Sequence, residues 1–407
     1  MRPLLAATTL LLAATPALAQ DWTTIPLGTT SNVNAIEKTS FSQVIVVGDA
    51  GFAAQSTDGT QTAWTPLAVN TSADLLAVHQ PSWTEIWISG DGGTVKRLIA
   101  GTFQNRGIGS GEDFVIFSRS SGWSFAGGTG GSMYRTTDAG NTWNFQYAAG
   151  AAIHDGNGFV GSLAIAVGDN GTILKTTNGG VAWTPIASGT SANLYAYKDV
   201  AGGILVGGEG GTMLKSTDSG DTWVSISLPT SETIWDIDSS GQNGNWVLAS
   251  GSNGTLLRST NAGTTWCNIN TQTTADLFAV DMTLNATWTI AGEGGLMKRT
   301  TNSGGGCFSP TDAPVVGPAG SFRLGGPWPQ PIARDGRFSL QVDRGQTVRA
   351  DVVDVAGRHV ASVMDGRMVP GETRQLAFDA RNVNAGVYFM RVQGEDFSET
   401  RKMVVVR

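Results

Sequence analysis

The groups with the clearest chemical capacity in this 407-residue chain are carboxylates that recur at regular intervals. Asp49, Asp91, Asp169, Glu209 and Glu293 each follow a glycine, and Thr129 and Ser252 take the same place after Gly128 and Gly251. A ring of such acids favours a cationic partner or surface, which makes these five the best ligand-binding candidates. The plainer role is an exposed turn residue. A second set, Asp58, Asp138 and Asp218 with Asn178, Asn261 and Asn302, lies in short polar segments with glycine. There the side chain bonds its own turn, so a structural role is expected. Glycoside hydrolysis needs only two carboxylates about 5–10 Å apart. No feature of the sequence selects a pair, so no catalytic residue is assigned. His79, His154 and His359 are isolated and, with two cysteines, make no zinc-ligand pattern. No metal and no cofactor is expected.

Composition narrows the elements that must position these groups. Charged residues are 14% of the chain, and glycine occupies 55 positions. Glycine costs about 1 kcal/mol in a helix interior relative to alanine, so an all-β chain with many tight turns is expected. The net charge is −7, against a nucleic-acid partner, which requires a basic footprint. Residues 21–308 carry 12 Lys+Arg and 22 Asp+Glu (net −10), whereas residues 321–407 carry 13 and 10 (net +3). That break marks a domain boundary.

Residues 1–19 read as a signal peptide: Arg2, an apolar run from Leu4 to Ala14, and Ala17-Leu18-Ala19 before the cleavage point. The run is shorter than the roughly 20 residues of a spanning helix, and no later run reaches that length, so no transmembrane segment is expected. Export places Cys267 and Cys307 where a disulfide persists. They lie one repeat apart, and bridging depends on whether neighbouring repeats bring them close enough.

The repeat starts at Gly48, Gly90, Gly128, Gly168, Gly208, Gly251 and Gly292, with spacings of 42, 38, 40, 40, 43 and 41 residues. A period near 40 with four short β-segments indicates a propeller blade. In one unit the segments are Leu194–Tyr197, Gly203–Gly207, Thr212–Ser216 and Thr222–Ile226, with a turn at Thr217-Asp218-Ser219-Gly220. Seven units close a seven-bladed ring over residues 20–309, which removes exposed sheet edges. Asp21–Leu27 or Cys307–Phe308 supplies the last blade's fourth strand. Trp64, Trp143, Trp183, Trp223 and Trp266 are expected to pack between blades.

The turn at Thr136–Trp143 and Ser216–Trp223 resembles the Asp-box, or neuraminidase-type, repeat. Thr176–Trp183 and Ser259–Trp266 carry asparagine for aspartate, Ser56–Trp64 is one residue longer, and the Gly90 unit has Ala100 instead. With the Gly-[Asp/Glu]-x-Gly-Thr segment, the repeat resembles the photosystem II stability and assembly factor-like propellers. The resemblance implies the fold and not a photosynthetic role. Sialidases of this fold hold a substrate carboxylate with an arginine cluster and use a Tyr–Glu pair. Here Arg97, Arg135, Lys175, Lys215, Arg258 and Arg299 each fill one repeat position, which spreads them round the ring. A non-catalytic binding or scaffolding role is therefore expected, with a surface protein or polysaccharide as partner. The alternative is a carboxylate-pair polysaccharide hydrolase.

Residues 310–320 read as a Pro/Gly-rich linker. Beyond it, Arg337–Val342, Thr347–Val355, His359–Met364, Thr373–Phe378, Gly386–Val392 and Thr400–Val406 read as strands of a small β-sandwich. Asp354-Val355-Ala356-Gly357-Arg358, the strand Gly386-Val387-Tyr388-Phe389-Met390-Arg391 and the ending Lys402 to Arg407 resemble type IX secretion sorting domains of type A. That resemblance covers residues 321–407. It implies the type IX machinery and its sortase as partners, with export to the outer surface of a Gram-negative cell by way of the periplasm. Arg358, Arg391, Lys402 and Arg407 are docking candidates.

Overall fold

The computed structural model describes residues 22–38, 43–59, 61–82, 85–120, 122–158, 162–240, 244–284, 286–304, 315–316, 322–328, 332, 334–342, 344–355, 357–370, 372–381, 383–395 and 397–406. The signal-peptide reading and Cys307–Phe308 fall outside them.

Residues 23–300 build seven four-stranded antiparallel sheets. Six are meanders of consecutive strands, such as Leu194–Val200, Gly203–Gly208, Met213–Ser216 and Val224–Ser225. The seventh joins Leu277–Leu284, Thr287–Gly292 and Met297–Thr300 to Thr23–Thr24, with Thr23 opposite Arg299 and Thr24 opposite Lys298. The N-terminal segment thus supplies the fourth strand that the sequence left between two candidates.

Burial explains the strand sequences. The second strands, such as Val44–Gly48 and Ala164–Gly168, are buried throughout and therefore read as continuous apolar runs. The short fourth strands Thr23–Thr24, Thr65–Pro66 and Val224–Ser225 are exposed. Seven apolar clusters fill the spaces between sheets, and each draws on two neighbours. Ile165, Val167 and Ile173 meet Leu194, Ile204 and Val206. Ala291 and Met297 of the last sheet meet Val33, Val46 and Ala54 of the first. The cycle of packed sheets is closed.

The first strands carry a β-bulge at a fixed place in six sheets, as between Leu194 and Ala196 and between Ile234 and Asp236. A bulge re-aims the side chain of the extra residue. The sheet beginning at Phe114 lacks it there. In six sheets the second strand runs into a three-residue turn such as Glu209–Gly211, whose middle residue takes positive φ, +64° at Gly210 and +55° at Ala50. In the unit without an aspartate turn, Ala100 and Gly101 take φ of +49° and +81° and close a two-residue hairpin.

Two further four-stranded sheets follow. One holds Val315–Val316, Phe322–Trp328, Asp335–Val342 and Thr373–Asp379. The other holds His359–Met368, Gln346–Asp354, Gly386–Gln393 and Ser398–Val405. They share one core, including Phe338, Leu340, Val348, Met390 and Met403. The six expected strands are present. Val315–Val316, within the expected linker 310–320, pairs with Leu324 and Arg323.

Candidate functional site

The first strands of all seven sheets surround a cavity of about 560 Å³. Each is the inner edge of its sheet, so half of its backbone N–H groups have no partner within the sheet. Carboxylates from the preceding sheet supply several. Asp155 Oδ2 accepts from Tyr197 N (2.7 Å), Asp236 Oδ2 from Val280 N (2.8 Å), and Asp238 Oδ2 from Met282 N (2.6 Å). Two lysines balance the charge. Lys198 Nζ lies 2.5 Å from Asp238 Oδ1, and Lys38 Nζ lies 3.7 Å from Asp281 and donates to Thr283 Oγ1. Burial in the channel disfavours the ionised acids. It pushes Glu37, Asp155 and Asp281 up to about 7 and Asp236 to about 6. These acids are not among the candidates that the repeat turns single out. Glu37, His79, Asn157, Lys198, Asp238 and Asp281 share one register of six first strands, a repeat-spaced signal of the channel lining.

The five proposed binding acids occupy equivalent places in the turns between second and third strands. These turns share a face with the segments that lead into each first strand, as Asp49 N donating to Asn32 O and Glu209 N donating to Asn193 O show. The acids stand round that face and do not meet at one point. Glu209 and Glu293 are exposed. Asp49 accepts from Asn34 Nδ2 (2.8 Å), and Asp169 bonds His154 Nε2 (2.7 Å). Burial, followed by the charges of Asp113, Asp74 and Asp49, raises the Asp91 pKa.

A second tier of acids joins them from the lead-in segments. Asp74, Asp113 and Asp276 accept the middle turn N–H of the preceding sheet, from Ala50 (2.7 Å), Gly92 (2.9 Å) and Asn253 (2.9 Å). Glu112 accepts from Gly130 N (3.0 Å), and Glu232 from Asn253 Nδ2 (2.8 Å). The turns 49–51, 91–93, 129–131, 169–171, 209–211, 252–254 and 293–295 hold five acids. The lead-ins 28–32, 69–74, 107–113, 149–152, 187–193, 227–233 and 269–276 hold five more. Neither set contains a lysine or arginine.

At the channel mouth on this face, the bulge residues of four successive sheets are aromatic. His154, Tyr195, Trp235 and Phe278 follow one another with ring centroids 4.9, 4.7 and 6.2 Å apart. All four are half-buried and line the cavity. Their spacing matches the repeat, a signal the sequence reading did not use.

Other sequence candidates have internal roles. Asp138 Oδ1 accepts from Thr136 Oγ1 (2.8 Å) and Thr142 N (2.9 Å), and Asp218 and Asn178 bond their own turns likewise. Trp183 packs edge-on against Phe125 of the preceding sheet, 5.5 Å between centroids. Three of the repeat bases reach the next sheet's turn. Lys175 Nζ meets Asp221 (2.6 Å), Lys215 Nζ donates to Ala262 O (2.6 Å), and Arg299 Nη2 donates to Gly59 O (3.1 Å). Arg135 instead stacks over Trp123, 4.4 Å from the ring centre. Cys267 is disulfide-bonded, and Cys307 lies outside the described residues. Among the described residues, no three His, Cys, Asp or Glu side chains group closely enough to hold a metal ion. No helix there is long and apolar enough to cross a membrane.

In the C-terminal unit, Asp354 organises its turn. Its carboxylate accepts from Arg358 N (2.9 Å) and Nε (2.7 Å), while Gly357 takes φ +76°. Tyr388, opposite Asp354, donates to Asn384 O (2.9 Å), and Gly386 begins that strand. Arg391 pairs with Thr400, and Lys402 with Phe389. Arg407 is outside the described residues.

A closed cycle of four-stranded sheets round a channel defines a β-propeller, and solved structures agree. One described as "YCF48 bound to D1 peptide" superposes with a TM-score of 0.58 at 21% identity, covering 71% of this chain and all of that one. YCF48 from Cyanidioschyzon merolae gives 0.56 at 19% identity, with 69% and 98% covered. The WD40 repeats of RRP9 give 0.58 at 10% identity, with 70% and 98% covered. These likenesses show the fold. Residues 328–406 match the family described as "Secretion system C-terminal sorting domain". The chain is thus a propeller with the tail of a type IX secretion cargo, exported to the cell surface or the medium. No curated protein matches it in sequence.

Proposed function

We propose that this protein is a seven-bladed propeller of Asp-box-type repeats with a C-terminal β-sandwich, and that it is a non-catalytic binding or scaffolding module. In this reading residues 1–19 direct it to the periplasm of a Gram-negative cell, a Cys267–Cys307 bridge ties the last repeats, and the sortase removes residues 321–407 after outer-membrane passage. Arg358, Arg391, Lys402 and Arg407 serve docking to that machinery. Asp49, Asp91, Asp169, Glu209 and Glu293 belong to the ligand face. One observation carries the binding role: the turns and lead-ins of this face hold ten carboxylates and no lysine or arginine of their own, with half-buried aromatic rings at the centre. Such a surface recruits ligand through field and contact area.

The hydrolase alternative draws on Glu37, Asp155, Asp236 and Asp281, which share one cavity with pKa values raised to about 6–7. Against it, Asp155 and Asp236 already accept two backbone N–H bonds each, which fixes them as strand connectors. The full chain, incubated with polysaccharides and cell-wall fractions, is assayed in the same samples for retention and for released reducing ends. Retention without release is expected. Release that Asp236→Asn abolishes would replace the binding reading with the hydrolase.

A further inference from the structure

We propose that the channel mouth on the turn face seats lysine or arginine side chains of a basic polypeptide segment against the aromatic arc His154–Tyr195–Trp235–Phe278. The inference rests on the binding-module reading and names its ligand class.

Three observations carry it. First, the rings are preorganised. Bulges place them, and the polar atoms of three are tied to nearby residues of the face. His154 Nε2 bonds Asp169, Tyr195 Oη accepts from Asn193 Nδ2 (3.3 Å), and Trp235 Nε1 donates to Ser252 Oγ (3.0 Å). Rings held this way offer contact area at small entropic cost. Secondly, carboxylates dominate the charge around the mouth, as ten stand among fourteen turn and lead-in segments that carry no base; Lys298 reaches the face, where it donates to Thr271 O and Gln272 O. Aromatic faces and carboxylates together recognise an organic cation. A metal ion would need ligands grouped at one point, and the described residues provide no such group. Thirdly, the acids are spread round the face, so one small amine meets few of them, whereas a segment with several bases meets many. Deeper in the channel, Asp281 and Asp238 are already paired with the chain's own Lys38 and Lys198, so the mouth is the better seat for an incoming cation.

The test is calorimetric titration of the full chain with hexalysine, with hexaglutamate and a neutral cello-oligosaccharide as comparisons. Hexalysine is expected to bind, and to bind more weakly as salt rises and the Debye length shrinks. Trp235→Leu and Phe278→Leu are each expected to weaken it about five- to tenfold, with Trp235→Tyr near wild type. Thermal midpoints verify that the variants fold. Asp91→Asn with Glu209→Gln, both outside the arc, should flatten the salt dependence. Absence of hexalysine binding at low salt overturns the proposal. Hexalysine binding unchanged in both leucine variants overturns the arc while leaving the binding face in place. Oligosaccharide binding that Trp235→Leu removes, with no hexalysine binding, also overturns the cationic ligand and leaves the binding module standing.

Discussion

The motif Gly208-Glu209-Gly210-Gly211 allows steric and conformational demands to be separated within four residues. Gly208 has φ −170°, open to any residue, yet a Cβ there would lie 2.1 Å from Asn193 O. Gly210 has φ +64° with nothing within 4 Å of a Cβ. Gly211 combines φ +71° with a Cβ 2.4 Å from Thr230 O. Gly210→Ala should therefore cost only the left-handed conformation, about 1 kcal/mol. Ala50 and Asn170 occupy the equivalent place at φ +55° and +56°. Gly208→Ala must open the gap to Asn193 by roughly 1 Å, which strains the Glu209 N to Asn193 O bond of 2.9 Å. Overpacking of that kind costs about 2–3 kcal/mol. Gly211→Ala carries both penalties, about 3–4 kcal/mol. Urea denaturation of the full chain, followed by tryptophan fluorescence, ranks the three. If Gly208→Ala were as mild as Gly210→Ala, close backbone approach would not explain the first glycine of the repeat.

Three further outcomes follow from the charges. Glu37, Asp155, Asp236 and Asp281 titrate higher in the folded channel than in the unfolded chain, so the folded state binds more protons between about pH 4 and 7. Stability should rise as pH falls from 7 to 5, read as a higher thermal midpoint, and Glu37→Gln with Asp281→Asn should flatten that slope. Lys198→Met leaves Asp238 without its cation and should cost about 2–3 kcal/mol at pH 7, and less at pH 5, in the same urea assay. Asp218→Ala removes the acceptor for Ser216 Oγ, Thr222 N and Thr222 Oγ1 and should lower the thermal midpoint, whereas Asp218→Asn should stay near wild type, as Asn178 and Asn261 do in their own turns.

The sheets were legible because their determinants are local. Gly128, Gly168 and Gly208 mark equivalent turns, Asp138 and Asp218 bond their own hairpins, and buried second strands such as Val44–Gly48 read as apolar runs. The choice of Thr23–Thr24 as the closing strand was not legible, since pairing with Met297–Thr300 joins the two ends of the repeat array. The acids of the turns could be placed on one face. Their partners could not, because Asp49 meets Asn34 from another strand and Ala50 N meets Asp74 from the next sheet. The channel and the aromatic arc stayed hidden for a related reason. Asp236 in Ile234–Ser239 looks like an ordinary polar residue of an alternating strand until seven such strands surround one cavity.

Two groups of carboxylates thus differ in what remains for them to do. In the channel, Glu37, Asp155, Asp236 and Asp238 accept backbone N–H groups of the next inner strand, and their removal exposes unpaired N–H groups. On the turn face, Glu209 and Glu293 are exposed to solvent, and no nearby lysine or arginine in the turns or lead-ins neutralises them. A structure that needed those charges only for its own turns would be indifferent to the missing bases, since Ser252 fills the same position without charge. Asp113, Asp74 and Asp49 crowd negative charge round Asp91, whose carboxyl is raised first by burial and then by those neighbours. If the proposed cationic segment docks there, it relieves that crowding, so the charges that oppose one another in the free protein would favour the complex.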